Sequence, residues 1–422
     1  MQKLFSIIKN SRFFINLSLF LAVMGPGIIT ASVGNNSAGI ATYSLAGAHY
    51  GYSLVWSFIP MLIALILAQE MSARMAVATG KGLADLIREN FGVKITFYLM
   101  FLLFFVNLLC LIAEFSGLAA SLEIFHISKY ISIPISAFLV WMLVVKGTYK
   151  AVERTFLVLS SFYIAYIISG FIAHPDWSSA FKQTVLPSFD LNFQSSLMLI
   201  GMIGTTITPW MQFYLQSSVV EKRVGVENYK SLRLDVIIGC VVASVVAFFI
   251  VVACAATLFK ENVSVQTVSD AALALRPLAG PYASFLFAFG LFNAAIFAVS
   301  ILPLSTAYSI CEGMGWEEGI DKNFKDAPQF FWLYTIMIAI GAGVVLIPNF
   351  PFLKMMYLSQ VGNGILLPFI LLFMLSLVND EEIMGEFKNT PSLNVVTYIV
   401  VAVLILLTIL MLTFSLPFFS RL

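Results

Sequence analysis

The sequence predicts an all-α integral membrane protein of about eleven transmembrane helices: two five-span repeats in inverted orientation, plus one extra helix. Three observations predict it. The 422 residues are 60% hydrophobic and only 11% charged, whereas a soluble chain carries about 25% charge. Eleven apolar runs are long enough to cross a bilayer, which takes about 20 residues. The first and the sixth of these runs are each interrupted midway by small, polar and helix-weakening residues.

The eleven runs cover roughly 14–45, 53–73, 95–121, 130–146, 155–173, 194–219, 234–259, 282–311, 329–347, 353–377 and 394–418. The opening segment MQKLFSIIKNSRFFINLSLF has the basic start and apolar core of a signal peptide. Its apolar run continues past any plausible cleavage region, so it reads as the first span. With the N-terminus placed inside, the inner connections hold 17 Lys and Arg and the outer ones hold 6, which accounts for all 23. This asymmetry puts the N-terminus in the cytoplasm and the C-terminus outside. The connections are too short for a soluble domain, so residues 1–422 form a single transmembrane domain. Its expected parts are a first repeat at about 14–173, a second at about 194–377, and an additional helix at about 394–418.

Each span adds a specific expectation. In span 1, Gly34, Asn35, Asn36, Ser37, Ala38 and Gly39 fall together in the middle of an apolar run. Span 2 ends on Glu70 and Arg74, four residues apart and able to pair across one turn. With Glu153 and Arg154 at the start of span 5, they are candidates for a cytoplasmic gate. Solvated surface pairing is the alternative. Span 3 carries Glu114, and an acid inside a membrane is a functional candidate by default. A structural hydrogen bond to a neighbouring helix is its alternative.

Span 6 contains Gly201, Gly204, Thr205, Thr206, Thr208 and Pro209. Proline removes a backbone donor and clashes with the preceding turn. The freed carbonyls must find partners in protein or water, since lipid offers none. Span 8 is also expected to be irregular. Gln360 and Asn363 lie about one turn apart in span 10, facing a cavity or bonding between helices.

Several function classes are disfavoured. A net charge of +1 argues against nucleic acid. Cys110, Cys240, Cys254 and Cys311 lack metal-site spacing and read as small buried hydrophobes. His49, His126 and His174 are scattered near predicted loops. With no nucleophile, base and metal cluster together, an enzyme is not expected. Asn262-Val263-Ser264 has the form of a glycosylation sequon, a frequent chance pattern.

Paired broken helices in corresponding positions of two halves point to a secondary transporter with inverted repeats. Its substrate lies near the midplane, between the unwound segments. Close packing at glycines and a simple proline kink are the alternatives.

The motifs themselves resemble those of a known family. Gly25-Pro26-Gly27, Ile40-Ala41-Thr42, Ala46-Gly47 and Gly51-Tyr52 match the first span and following loop of Nramp divalent-metal transporters. SARMAVATGKGLADLIRENFG, residues 72–92, resembles that family's next segment. Ala113-Glu114, Ser359-Gln360-Val361 and Leu367-Pro368-Phe369 also align. The TTITPWMQFYLQSS run looks closest to the Nramp-related magnesium-transporter branch. The resemblance covers nearly the whole chain and implies a LeuT-type fold that works by alternating access.

The sequence departs from the family at its metal site. The metal-binding Asp of the family falls on Asn36, and the remainder of that motif on Ser37, Ala38 and Gly39. The magnesium branch retains the Asp, so Asn36 departs from that branch too. The coordinating methionine falls on Thr208, the next histidine on Trp210, and a later histidine near Gln216. The acid one turn before Glu114 falls on Leu111, and the span-10 glutamine of the site falls on Leu366.

The expected substrate site is therefore Asn36, Gly39, Val33, Thr205 and Thr208, with Gln360 and Asn363. Asn36, Thr205 and Thr208 are the candidate metal donors. Without the thioether the site favours hard divalent ions such as Mg²⁺ or Mn²⁺ over soft ones. Without the histidines and one acid, proton coupling is expected to be weak or absent. The competing readings are a monovalent cation or small neutral solute on the same fold, and a transport-inactive sensor. The expected setting is a bacterial inner membrane. The expected partners are the lipid bilayer and the transported ion, with no cofactor, no nucleic acid and no obligate protein partner.

Overall fold

The computed structural model describes residues 26–146, 164–187, 192–261, 263, 265, 270–271 and 283–419. The first expected span is broken into α1 (Pro26–Ser32), a 3₁₀ turn at Val33–Asn35, and α2 (Ser37–Tyr50). Then follow α3 (Phe58–Thr79), the amphipathic α4 (Leu83–Phe91), α5 (Val93–Ile124), α6 (Lys129–Val145), α7 (Ile164–Ile172) and α8 (Trp177–Val185). The sixth expected span is likewise split, into α9 (Phe193–Thr206) and α10 (Pro209–Glu221). The remaining helices are α11 (Tyr229–Cys254), α12 (Ala283–Met314), α13 (Pro328–Val345), α14 (Phe352–Asn379), α15 (Glu381–Met384) and α16 (Pro391–Phe419).

Among the described residues, seven helices are long and apolar enough to cross a membrane, and α6 is a shorter apolar one. The two split spans escape that count because no half, at 14 residues or fewer, is long enough to cross a bilayer alone. Glu153, Arg154 and the Asn262 sequon lie outside the described residues. Span 8 corrects the expectation of an irregular helix: α12 runs without interruption through Pro303. A membrane helix tolerates the one hydrogen bond a proline removes when neighbouring helices pack around it. The central window of this helix is 78% buried.

Span 1 sits at the centre of the bundle. Every residue from Ser37 to Ala48 is buried, on all faces of α2. A helix buried all round lies in a bundle core, where small residues allow backbones to approach. Gly27 and Gly239 do this for α1 and α11: a Cβ on Gly239 would sit 2.8 Å from the Gly27 carbonyl oxygen. Gly204 does it for α9 and α14, resting on the Gln360 carbonyl.

The charged ends of the bundle have local explanations. Lys129 is 8% exposed and donates to the Val345 and Ile347 carbonyls at 3.0 and 2.7 Å. It thus caps the negative C-terminal end of α13. The acidic run begins with Asp380, which accepts from the Glu382 amide at 2.9 Å as the N-cap of α15.

Candidate functional site

The two helix breaks meet. The Thr205 hydroxyl donates to the Gly34 carbonyl at 3.3 Å, joining residues 171 positions apart. Gly39 lies in the same contact: a Cβ there would fall 2.6 Å from both the Gly34 oxygen and Thr205 Oγ1. The Thr205 and Thr206 carbonyls face Gly34, 3.5 and 3.7 Å from where its Cβ would be.

The span-1 side is built from the backbone outward. Asn36 has extended ψ and acts as N-cap of α2, its Oδ1 accepting from the Gly39 amide at 2.7 Å. Asparagine is among the preferred residues there, because its oxygen satisfies an amide the helix leaves unpaired. Asn35 donates from Nδ2 to the Ala243 carbonyl of α11 at 2.9 Å. The Val33 carbonyl accepts from the Asn36 amide at 3.1 Å and is used within the turn. The carbonyl that bonds to span 6 is that of Gly34, the neighbour of Val33.

Glu114 completes this side. Its Oε2 accepts from the Ser37 amide and hydroxyl at 3.0 and 2.7 Å, and its Oε1 from the Ala38 amide at 3.2 Å. A carboxyl group from α5 thus covers the positive end of α2, a pairing of acid with helix N-terminus. Gly117 makes room for it, since a Cβ there would collide with the Ser37 side chain.

The span-6 side is less complete. Thr208 is the N-cap of α10 but makes no side-chain cap bond, and Pro209 opens the helix. Proline suits that position because no amide is wanted there. Thr208 and Trp210 are fully buried, yet Thr208 Oγ1 and Trp210 Nε1 have no hydrogen-bond partner. Thr206 is engaged: its hydroxyl bonds to the Met202 carbonyl at 2.7 Å and pairs with the Tyr43 hydroxyl at 2.8 Å.

The electrostatics follow from these helix ends. The C-terminal ends of α1 and α9 both point into the break and carry partial negative charge. The positive end of α2 is covered by Glu114, whereas that of α10 has no side-chain cap.

The Gln360 carbonyl packs on Gly204 beside the span-6 break, while the Gln360 and Asn363 side chains make other bonds. Asn363 donates to Gln360 Oε1 at 3.1 Å and approaches Cys110 Sγ at 3.1 Å, and Gln360 donates to Ser359 Oγ at 3.2 Å. Asn363 thus links α14 to α5, and its Oδ1 is buried without a partner.

Glu70 and Arg74 are buried rather than solvated, 3.2 Å apart with side chains 8% and 7% exposed. The Tyr229 hydroxyl bonds to Glu70. Arg74 donates to the Phe387 carbonyl at 3.0 Å and also to Asn389. The pair ties the C-terminal part of α3 to α11 and to the segment before α16.

Three residues at or near this site escape sequence reading. The Met211 methyl group lies against Gly34, 3.0 Å from a Cβ position there. A thioether side chain is therefore present, three residues after the position where the resemblance places one. Asp235 is fully buried and accepts from the Gly27 amide at 2.7 Å, covering the N-terminal turn of α1. Glu312 is 3% exposed and bonds to the Ser217 hydroxyl. The available signal is an acid flanked by apolar residues: Leu234-Asp235-Val236 and Ile310-Cys311-Glu312 near the ends of their spans.

Comparison with known proteins agrees with the geometry. The Nramp family profile, "Natural resistance-associated macrophage protein-like", matches residues 27–414. A divalent metal cation transporter MntH of Caldanaerobacter subterraneus subsp. tengcongensis is 26% identical over 419 residues, covering 97% of this chain and 96% of that protein. MntH of Bacillus subtilis is 26% identical over 404 residues, covering 92% and 91%. Among solved structures, a manganese transporter of Eremococcus coleocola, crystallised with an aromatic bis-isothiourea substituted compound, superposes with a TM-score of 0.78. It has 21% identity and covers 97% of this chain and 89% of its own.

Proposed function

The chain belongs to the Nramp family, has its LeuT-type fold, and on that premise we propose that it is a secondary transporter moving a divalent metal cation by alternating access. The observation that carries this is the meeting of the two breaks, where the Thr205 hydroxyl lies 3.3 Å from the Gly34 carbonyl. Asn36, Thr205 and Thr208 place neutral oxygen donors there, between two helix C-termini that favour cations. The names of the similar proteins, divalent metal cation and manganese transporters, point the same way.

The cargo is a hard or borderline divalent ion. Oxygen donors suit Mg²⁺, which keeps several of its waters in most sites. The Met211 thioether beside Gly34 keeps Mn²⁺ in the same reading. Charge compensation comes from Glu114, one residue beyond Asn36 through Ser37. Proton coupling is weak or absent, because Glu114 and Asp235 are committed to helix N-termini rather than to a relay. The five-span separation of the breaks supports repeats at about 14–173 and 194–377. The buried Glu70–Arg74 pair is the natural inner gate, since it joins α3, α11 and the segment before α16. Glu153 and Arg154 belong to the same proposed gate.

The second reading, a monovalent cation or small neutral solute, is favoured by Asn36 itself, which brings no charge. Flux in proteoliposomes separates the two. Wild type, Asn36→Asp and Asn36→Ala are compared with Mg²⁺, Mn²⁺, Ca²⁺, Na⁺ and K⁺. The proposal expects wild-type flux of Mg²⁺ or Mn²⁺, reduced by Asn36→Ala. No divalent flux under any gradient would sink it. New Mn²⁺ uptake created by Asn36→Asp alone would keep the position and change the cargo.

A further inference from the structure

Tyr43 lies one turn beyond Gly39 on α2, on the face that meets span 6. Gly39 makes room for Thr205: a Cβ there would fall 2.6 Å from Thr205 Oγ1. Tyr43 reaches across instead. Its hydroxyl lies 2.8 Å from Thr206 Oγ1, joining residues 163 positions apart. Two positions one turn apart on α2 thus address the last two residues of α9.

The direction of the Tyr43 bond follows from counting protons. Thr206 has one hydroxyl hydrogen, and the Met202 carbonyl accepts it at 2.7 Å. The Met61 sulfur, 3.6 Å away, is the weaker acceptor. The pair with Tyr43 therefore takes its hydrogen from the tyrosine, and Thr206 Oγ1 accepts. A hydroxyl that accepts one bond and donates another is polarised in the same sense by both, so each strengthens the other.

The tyrosine ring is itself held in place. It is 1% exposed, and its centroid lies 5.9 Å from that of Phe58 on α3. Phe58 in turn meets Phe248 of α11 edge-on at 6.1 Å. Such aromatic pairs favour particular geometries as well as burying area. The hydroxyl is delivered to α9 on a ring that α2, α3 and α11 fix together.

The end of α9 carries backbone carbonyls that the helix cannot satisfy. The Ile203 carbonyl is taken by the Ile207 amide at 2.8 Å, and the Met202 carbonyl receives the Thr206 hydroxyl. The helical partner of the Thr205 carbonyl would be residue 209, a proline with no amide to give. The Thr205 and Thr206 carbonyls face Gly34 across the break. They form the negative end of the α9 dipole. Their aim depends on the last turn staying wound, and the two bonds of the Thr206 hydroxyl pin that turn at its final residue.

We propose that Tyr43 is a positioning residue for the transported cation: through Thr206 it fixes the last turn of α9, and with it the direction of the Thr205 and Thr206 carbonyls. It touches no cargo itself. The inference rests on the proposed placement of the cargo between the breaks. Carbonyls that are already aimed spare the cation the cost of ordering them as it binds. Preorganisation of this kind acts on binding rather than on the rate of the transport step, so its loss shows in KM and not in kcat.

Concentration-dependent flux in proteoliposomes tests this, with whichever of Mg²⁺, Mn²⁺, Ca²⁺, Na⁺ and K⁺ wild type carries. Tyr43→Phe keeps the ring and removes only the hydroxyl. Its KM should rise about threefold to tenfold, the worth of one hydrogen bond, while kcat stays within about twofold of wild type. Thr206→Val should raise KM alike, and the double variant no further, because the two residues act through one bond. Thr206→Ser retains the hydroxyl and should retain the wild-type KM. Should Thr206→Val misfold, Tyr43→Phe and Thr206→Ser still decide. A tyrosine that only supports the fold would lower kcat, through fewer active carriers, and leave KM unchanged; that result overturns the proposal. So do KM increases that multiply in the double variant. A wild type that carries only Na⁺ or K⁺ sinks the divalent cargo alone, with Tyr43→Phe then read on that ion. A wild type that moves none of the five overturns both.

Discussion

The two helix breaks differ in how completely they are satisfied. In span 1 the Asn36 oxygen, both Glu114 oxygens and the Gly34 carbonyl all have protein donors. In span 6 the Thr208 hydroxyl and the Trp210 indole are buried without partners. Each such atom costs about 1–3 kcal/mol unless water or a ligand meets it. The span-1 break is therefore the more completely bonded of the two, and the unpartnered polar atoms lie on span 6.

The largest expected effect is at the finished side. Glu114→Ala removes the acceptor for three donors at the α2 N-terminus and should destabilise the fold by about 3 kcal/mol, as for other broken buried polar pairs. The four cysteines are all buried, so a thiol-reactive dye reports the melt directly. An unchanged melting temperature would show that the cap is dispensable and end the contrast between the breaks.

Gly39→Ala comes next. Its methyl group would meet the Gly34 oxygen and Thr205 Oγ1 at 2.6 Å. Overpacking of that kind costs about 1–3 kcal/mol, and here it pries the breaks apart. Transport should be lost in proteoliposomes while the chain still elutes as a single folded species.

A smaller effect sharpens the comparison most. Thr208→Val removes a hydroxyl that has no protein partner, so stability should hold or rise by about 1 kcal/mol, while flux falls. Thr205→Val removes the bond to Gly34 and should lower both. Equal stability losses in the two variants would mean that Thr208 is satisfied in the folded protein after all.

The smallest effect is in pH dependence, away from the breaks. Glu318 is held above its ordinary value of 4.5 by burial and neighbouring acids. The folded state then retains a proton that the unfolded state gives up, so stability falls as pH rises above the ordinary carboxylate range. Between about pH 5 and pH 8 the protein should melt at progressively lower temperature. Glu318→Gln should flatten that slope. A slope unchanged in Glu318→Gln assigns it to another group.

Much of the fold and part of the site are legible in the amino-acid order alone. Gly34 to Gly39 and Gly204 to Pro209 announce breaks because such residues are tolerated in lipid only where freed backbone finds partners. Asn36, Gly39 and Thr205 do meet. The rest is hidden for particular reasons. Val33 and Gly34 are adjacent, and the turn geometry alone decides which carbonyl accepts the Thr205 hydroxyl. Met211 reaches Gly34 because the break resets the helical register of α10. Asp235 and Glu312 sit near span ends, where an acid ordinarily meets water.

The class of the molecule and the places where two of its spans break follow from local properties of the chain. Apolar length is measured against bilayer thickness, and some residues weaken a helix wherever they stand. The partners of the buried acids come from packing instead. Glu114 meets Ser37 across 77 residues, and Asp235 meets Gly27 across 208. A buried carboxyl group takes whichever donors the packed bundle brings to it. Whether an acid caps a helix or pairs with a base is therefore a property of the neighbouring spans, not of its own.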